Sequence, residues 1–148
     1  MIGTNPSTAG PLPTDPNDPT IWRLIDLLRG LRFGRLLMVN LTPFQSPHPA
    51  VMLEWFQGLS LHARHEHLNQ AWEHIIAAAR EASPDGVFAA WGHWPKDDGW
   101  PDAVRQYLDE GGIALHAFGF NANGSPRHPM ARGLHRIPND VQPVRWSL

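Results

Sequence analysis

Three short apolar runs, each ending in a turn-rich stretch, constrain this chain most. They are "RLLMVN" at 35–40, "VFAAWG" at 87–92 and "IALHAFGF" at 113–120. Each has the length of a strand, and each is apolar on both faces rather than alternating. That pattern belongs to strands covered by other layers on both sides, as in parallel sheets. Between them lie segments with helical spacing. Ile21, Leu24, Ile25, Leu28 and Leu31 repeat with a helical period, and Leu68, Ala71, Trp72, Ile75, Ile76 and Ala79 form one face of a helix from Glu66 to near Ala82. A short helix is expected over Asp102–Glu110. Strands alternating with helices predict an α/β protein, a three-layer α/β/α sandwich around a mostly parallel sheet of about four strands.

The ends of this pattern are less regular. The first strand of such a fold is left with "MIG" alone. Either strand residues precede it or a shortened strand is tolerated. Asp18 is placed to cap the first helix, with Pro19 at its first position. Residues 51–65 read as a short helix or as irregular cover. The tail, with Pro138 and Pro143, reads as extended wrapping. At 148 residues the chain is expected to form a single domain over 1–148.

Composition narrows the chemistry. The chain has no cysteine, which removes disulfides, thiolate catalysis and thiolate metal sites. No apolar run is long enough to span a bilayer, and the opening residues lack the pattern of a signal peptide. A cytoplasmic protein with no membrane partner is the expectation. The net charge of −2 hides a pattern. Thr20–Asn40 and Ile113–Leu148 each hold four arginines against one aspartate, whereas Glu66–Glu110 holds nine acids against three bases. This is not the field of a nonspecific duplex binder, but it allows an arginine-lined site for a phosphate or nucleotide. No phosphate-loop signature, dinucleotide fingerprint or nucleophile elbow is present, so no cofactor is expected. The histidines of "HARHEH" (His62, His65, His67) lack metal-protease spacing and read as solvated, and no metal is expected.

Ligands of open parallel sheets bind beyond the C-terminal ends of the strands. Four stretches fall there: "GTNPST", "NLTPF", "WGHWP" and "GFNANGSPRHP". They nominate Asn5, Ser7 and Thr8, then Asn40, then Trp91, Gly92 and His93, then Arg127 and His128, with Arg23 reaching over from the first helix. Asn5 can orient a water or read a base edge, or make an Asx turn before Pro6. Ser7 and Thr8 can bind phosphate or cap a turn. Arg23 can take an anion or pair with Asp18 or Asp26. Asn40 can touch a ligand or hold the first loop. Trp91 can stack on a base or fill the core, and Gly92 can admit a ligand or make a turn. Arg127 and His128 lie between Pro126 and Pro129, which limit the freedom of the loop. That suits a preorganised anion or base site and equally a rigid surface turn.

"NPST", "NDPT" with Arg23, "VNL", Asn69, "AWG" and "NGSPRHP" occur in that order. Together they resemble the DUF1643 family of small uncharacterised proteins over residues 5–130. The chain departs from that family in its short first strand and in the inserted "GPLPTDPN" of residues 10–17. "GTNPS" also resembles the G-x-N-P-G/S loop of mismatch-type uracil-DNA glycosylases, which are α/β sandwiches. That resemblance implies that Asn5 holds the attacking water and that His128 contacts the base. Met130 stands where those enzymes have a small residue. The expected partner is a nucleotide, or a single-stranded or flipped base. Chemistry at a glycosidic bond and a non-enzymatic interaction role remain as alternatives.

Overall fold

The computed structural model describes residues 1–6, 18–83, 85–94 and 99–146. Five strands, β1 (Ile2–Gly3), β2 (Val39–Asn40), β3 (Val87–Ala89), β4 (Leu115–Ala117) and β5 (Val144–Arg145), form one sheet in the order β2-β1-β3-β4-β5. β1 is parallel to both β2 and β3, and β3 is parallel to β4. β5 runs antiparallel to β4. The fold is therefore mixed α/β with a mostly parallel sheet. Five strands replace the expected four or so, because the tail is not loose wrapping. After Pro143, which needs no ladder partner at the start of an edge strand, the chain pairs with β4, and Trp146 N–H donates to Leu115 O at 2.7 Å.

The short first strand sits near the middle of the sheet. Ile2 is opposite Val39 on one side and Ala89 on the other. Its two residues suffice because its neighbours supply the frame: Val39 N–H donates to Met1 O and Ala90 N–H to Ile2 O.

Among the described residues four α-helices cover the sheet. α1 (Pro19–Gly30) starts at Asp18, whose carboxylate accepts from Thr20 N–H at 2.7 Å and Ile21 N–H at 3.4 Å. It buries Leu24, Leu27 and Leu28. The uncertain stretch before Glu66 resolves into α2 (Pro49–Gly58) and the start of α3 (Leu61–Ala82). α3 begins at Leu61 rather than Glu66 because Ser60 Oγ caps it, accepting from Ala63 N–H at 3.2 Å. α4 (Trp100–Glu110) buries Pro101, Val104 and Leu108. No helix among the described residues is long and apolar enough to cross a membrane.

The side chains of β3 alternate between two cores, as the period of a strand requires. Val87, Ala89 and Trp91 join Ile2, Met52, Ile75, Val104 and Leu108 beneath α2, α3 and α4. Phe88 and Ala90 join Met1, Leu24, Leu27, Phe118 and Ile137 beneath α1 and the tail. The connection β1–α1–β2 thus uses one face, while β2–α3–β3 and β3–α4–β4 use the other. With right-handed crossovers, that change of face goes with a reversal of direction along the sheet. The reversal falls between β1 and β3. Loops leaving these two strands part in opposite directions, and it is beyond the C-terminal ends of strands at such a switch point that open α/β sheets take their ligands.

Candidate functional site

At this end of the sheet lie the loops after β1, β3 and β4, with the start of α1 beside them. Thr4, at the end of β1, is buried, and its Oγ1 donates to Trp91 O. This bond ties the ends of β1 and β3 together. Asn5 is half-buried. Its Nδ2 lies 2.9 Å from Pro6 O, 3.1 Å from Phe44 O and 2.8 Å from Ser46 O. Three carbonyl oxygens around one atom fix the amide orientation, since an oxygen there would face only acceptors. Oδ1 is left on the other side of the amide, with no hydrogen bond to a described residue. One half of Asn5 is therefore the bracket between two loops.

The loop after β4 is a closed hairpin. Phe120 and Pro126 form an antiparallel bridge, and Asn121 Nδ2 donates to Ser125 Oγ at 3.0 Å and Pro126 O at 3.3 Å. The hairpin returns the chain to the sheet end, where Arg127 N–H donates to Gly119 O at 2.9 Å. Arg127 Nε donates to Phe120 O at 3.2 Å. This fixes the plane of the guanidinium while its two terminal nitrogens meet no described acceptor. The exposed His93 Nδ1 lies 3.1 Å from Asn123 Nδ2 and links the loop after β3 to the same hairpin.

His128 packs on Gly92. A Cβ built on Gly92 would lie 3.0 Å from His128 Cβ, and Gly92 has φ +75°. His128 Nδ1 accepts from Met130 N–H at 3.1 Å, so the neutral ring carries its proton on Nε2. Burial pushes the His128 pKa down, and the Asp18 carboxylate opposes part of that shift. The Asp18 side chain is itself buried at the start of α1. Sequence reasoning named Asp18 as a cap; its proximity to His128 across 110 positions carries no sequence signal. The depressed pKa has a consequence for folding. A group that the native state holds neutral costs nothing above its ordinary value near 6.5 and destabilises the fold as pH falls through and below it. The wild type should lose stability below about pH 6.5, and His128→Gln should lose less over the same interval. Urea midpoints measured at pH 7.5 and 5 check this; parallel losses in both proteins would refute it.

Other nominated residues have different surroundings. Arg23 donates through Nη1 to Asn139 Oδ1 at 2.5 Å and through Nη2 to Ile137 O, pinning the tail to α1. The Trp91 side chain is 2% exposed, with Trp146 at 5.4 Å between ring centroids, so neither face is open for stacking. Asn40 lies opposite Gly3, and its Oδ1 is buried without a partner, 2.7 Å from where a Gly3 Cβ would be. Ser7 and Thr8 fall outside the described residues. Among the described residues no cluster of potential ligands fits a metal ion. A recess of about 260 Å³ lies at the other end of the sheet, against Met1, Phe33, Leu36 and Phe88.

The family model described as "Protein of unknown function (DUF1643)" matches residues 1–130. The chain belongs to the DUF1643 family. No curated protein and no solved structure matches it. The DUF1643 match spans β1 to β4 with the loops that follow β1, β3 and β4 as far as His128, and it stops before β5.

Proposed function

We propose that this DUF1643 protein binds a nucleotide or a nucleic-acid base in the crevice beyond the C-terminal ends of its strands. The observation that carries the reading is His128. It is a neutral imidazole with Nδ1 occupied by Met130 N–H, packed on Gly92 and within the field of the Asp18 carboxylate. Its Nε2–H is then an oriented donor for a base carbonyl or ring nitrogen. Asn5 Oδ1 supplies an acceptor for a base N–H, and the terminal nitrogens of Arg127 suit a phosphate. Ser7 and Thr8 belong to the phosphate side of this reading. Arg23, Asn40 and Trp91 take structural roles in it, and the exposed His93 ring replaces Trp91 as the planar surface.

A second reading rests on the buried Asp18 carboxylate, which caps α1 and whose charge acts on His128. In hydrolysis of an N-glycosidic bond, water attacks the sugar carbon and the C–N electrons leave with the base. Nε2–H would stabilise that departing anion, and Asp18 would take the proton of the water. This reading takes the fold to be like that of the uracil-DNA glycosylases, with Asn5 after β1 and His128 after β4 in the roles that the resemblance of "GTNPS" and "HP" implies. Release of free base from uracil-containing single strands tests this reading, and Asp18→Asn should abolish it.

Binding comes first. A panel of nucleotides and short single strands, titrated against tryptophan fluorescence, should show saturable binding. Arg127→Ala and His128→Ala should each weaken it by about tenfold or more, near 1.4 kcal/mol. No binding by the wild type across the panel overturns the proposal.

A further inference from the structure

The stretch "NANGS" after β4 does more than close a hairpin. Its side chains form a hydrogen-bond chain with one direction. Asn121 Nδ2 lies 3.3 Å from Pro126 O, and a carbonyl only accepts, so the amide orientation of Asn121 is settled. The same nitrogen donates to Ser125 Oγ at 3.0 Å. Ser125 Oγ then donates to Asn123 Oδ1 at 2.7 Å, and Ser125 N–H donates to the same oxygen at 3.2 Å. With Oδ1 fixed as the acceptor, Asn123 Nδ2 faces His93 Nδ1 at 3.1 Å. An amide nitrogen only donates, so the neutral His93 ring accepts at Nδ1 and carries its proton on Nε2. Met130 N–H sets His128 in the same way. The two rings adjoin Gly92, His93 next to it in the chain and His128 packed on it. Each presents an Nε2–H that no described residue accepts.

We propose that His93 binds the phosphate of the nucleotide through Nε2–H, and that Asn123 is its positioning residue. This inference rests on the nucleotide reading and names the end of the ligand that His93 meets. His128 is half-buried and His93 is exposed. A base gives up water at lower cost than a phosphate does, so the inner donor meets the base and the outer one the anion. A donor to an ionised oxygen also makes the stronger bond. Arg127 leaves the same hairpin with its plane fixed by Phe120 O. One element thus sets both the guanidinium and the imidazole. Donation uses the edge of the His93 ring and leaves its face for stacking.

The probes are the common ribonucleosides and their 5′-monophosphates, titrated at about pH 8.5, above the ordinary imidazole range. His93→Ala and Asn123→Asp both alter exposed side chains. His93→Ala should weaken monophosphate binding about tenfold and leave nucleoside binding unchanged, whereas His128→Ala should weaken both. A long-range 1H–15N correlation spectrum should place the His93 proton on Nε2 in the wild type. Asn123→Asp should move it to Nδ1, because a carboxylate oxygen accepts where the amide donated. The ring then turns a lone pair toward the phosphate, and monophosphate binding should again fall about tenfold. In the His93→Ala background Asn123→Asp should have little further effect, whereas simple charge repulsion would persist there. A wild-type proton on Nδ1 overturns the proposal, as does an Asn123→Asp loss that persists without His93. Equal weakening of nucleoside and monophosphate by His93→Ala overturns it too. If monophosphate binds and only His128→Ala weakens it, His93 meets no phosphate and the nucleotide reading stands. If no monophosphate binds the wild type, both fall together.

Discussion

Ile2→Ala is expected to lower the stability of the chain by about 2–5 kcal/mol. The side chain is 1% exposed and packs in the larger core with Leu41, Ile75, Ala89 and Leu115. It belongs to a strand of two residues that separates β2 from β3. A truncated side chain there leaves a cavity between strands pinned on both sides, so the surroundings have little freedom to collapse into it. The loss is a large share of the roughly 5–15 kcal/mol available to a domain. Val144→Ala supplies the contrast. Val144 is 51% exposed on the edge strand β5, and its truncation should change stability by no more than about 0.5 kcal/mol. Urea unfolding with an unchanged slope would measure both. A cost below about 1 kcal/mol for Ile2→Ala would mean that β1 does not hold the two halves of the sheet together.

The position of β1 illustrates what sequence pattern can and cannot carry. "VFAAWG" and "IALHAFGF" are legible as strands because burial on both faces leaves a continuous apolar run. "MIG" is too short to show any period, and its central place is decided by Val39 and Ala89, residues far along the chain. β5 was illegible for the opposite reason. Val144 and Arg145 are both exposed, so neither face of that strand leaves an apolar mark. The early part of α3 was missed because Leu61–His65 adds little to the buried stripe, although Ser60 signals the cap.

The same distinction runs through the crevice. That the loops after β1, β3 and β4 share one end of the sheet follows from strand direction, and it was readable from the order of elements. Residue type alone leaves the roles of Arg23 and Trp91 open. A guanidinium and an indole suit a nucleotide, but here Ile137 O and Asn139 claim the first, and Trp146 covers the second. Contacts between residues more than a hundred positions apart decided the first. His128 is the nominated residue whose surroundings match ligand chemistry most closely, because the backbone around it fixes both its tautomer and its place.

Gly92→Ala should therefore disturb stability and binding together. At φ +75° an L-residue costs roughly 1–2 kcal/mol relative to glycine. The added Cβ would also press on His128 Cβ at 3.0 Å, an atom held by the backbone and not by a flexible side-chain end. Either β3's terminal turn or the histidine must shift by a few tenths of an ångström. The expected result is a loss of about 1–3 kcal/mol and at least tenfold weaker nucleotide binding, because the Nε2–H donor moves with the ring. Gly112→Ala separates the two causes. Gly112 has nearly the same backbone conformation, φ +73°, with nothing within 4 Å of an added Cβ. It should show the conformational cost alone and leave binding untouched. If both variants lose the same stability and bind the panel equally well, the packing of His128 on Gly92 does not set the ligand site, and the crevice reading loses its central contact.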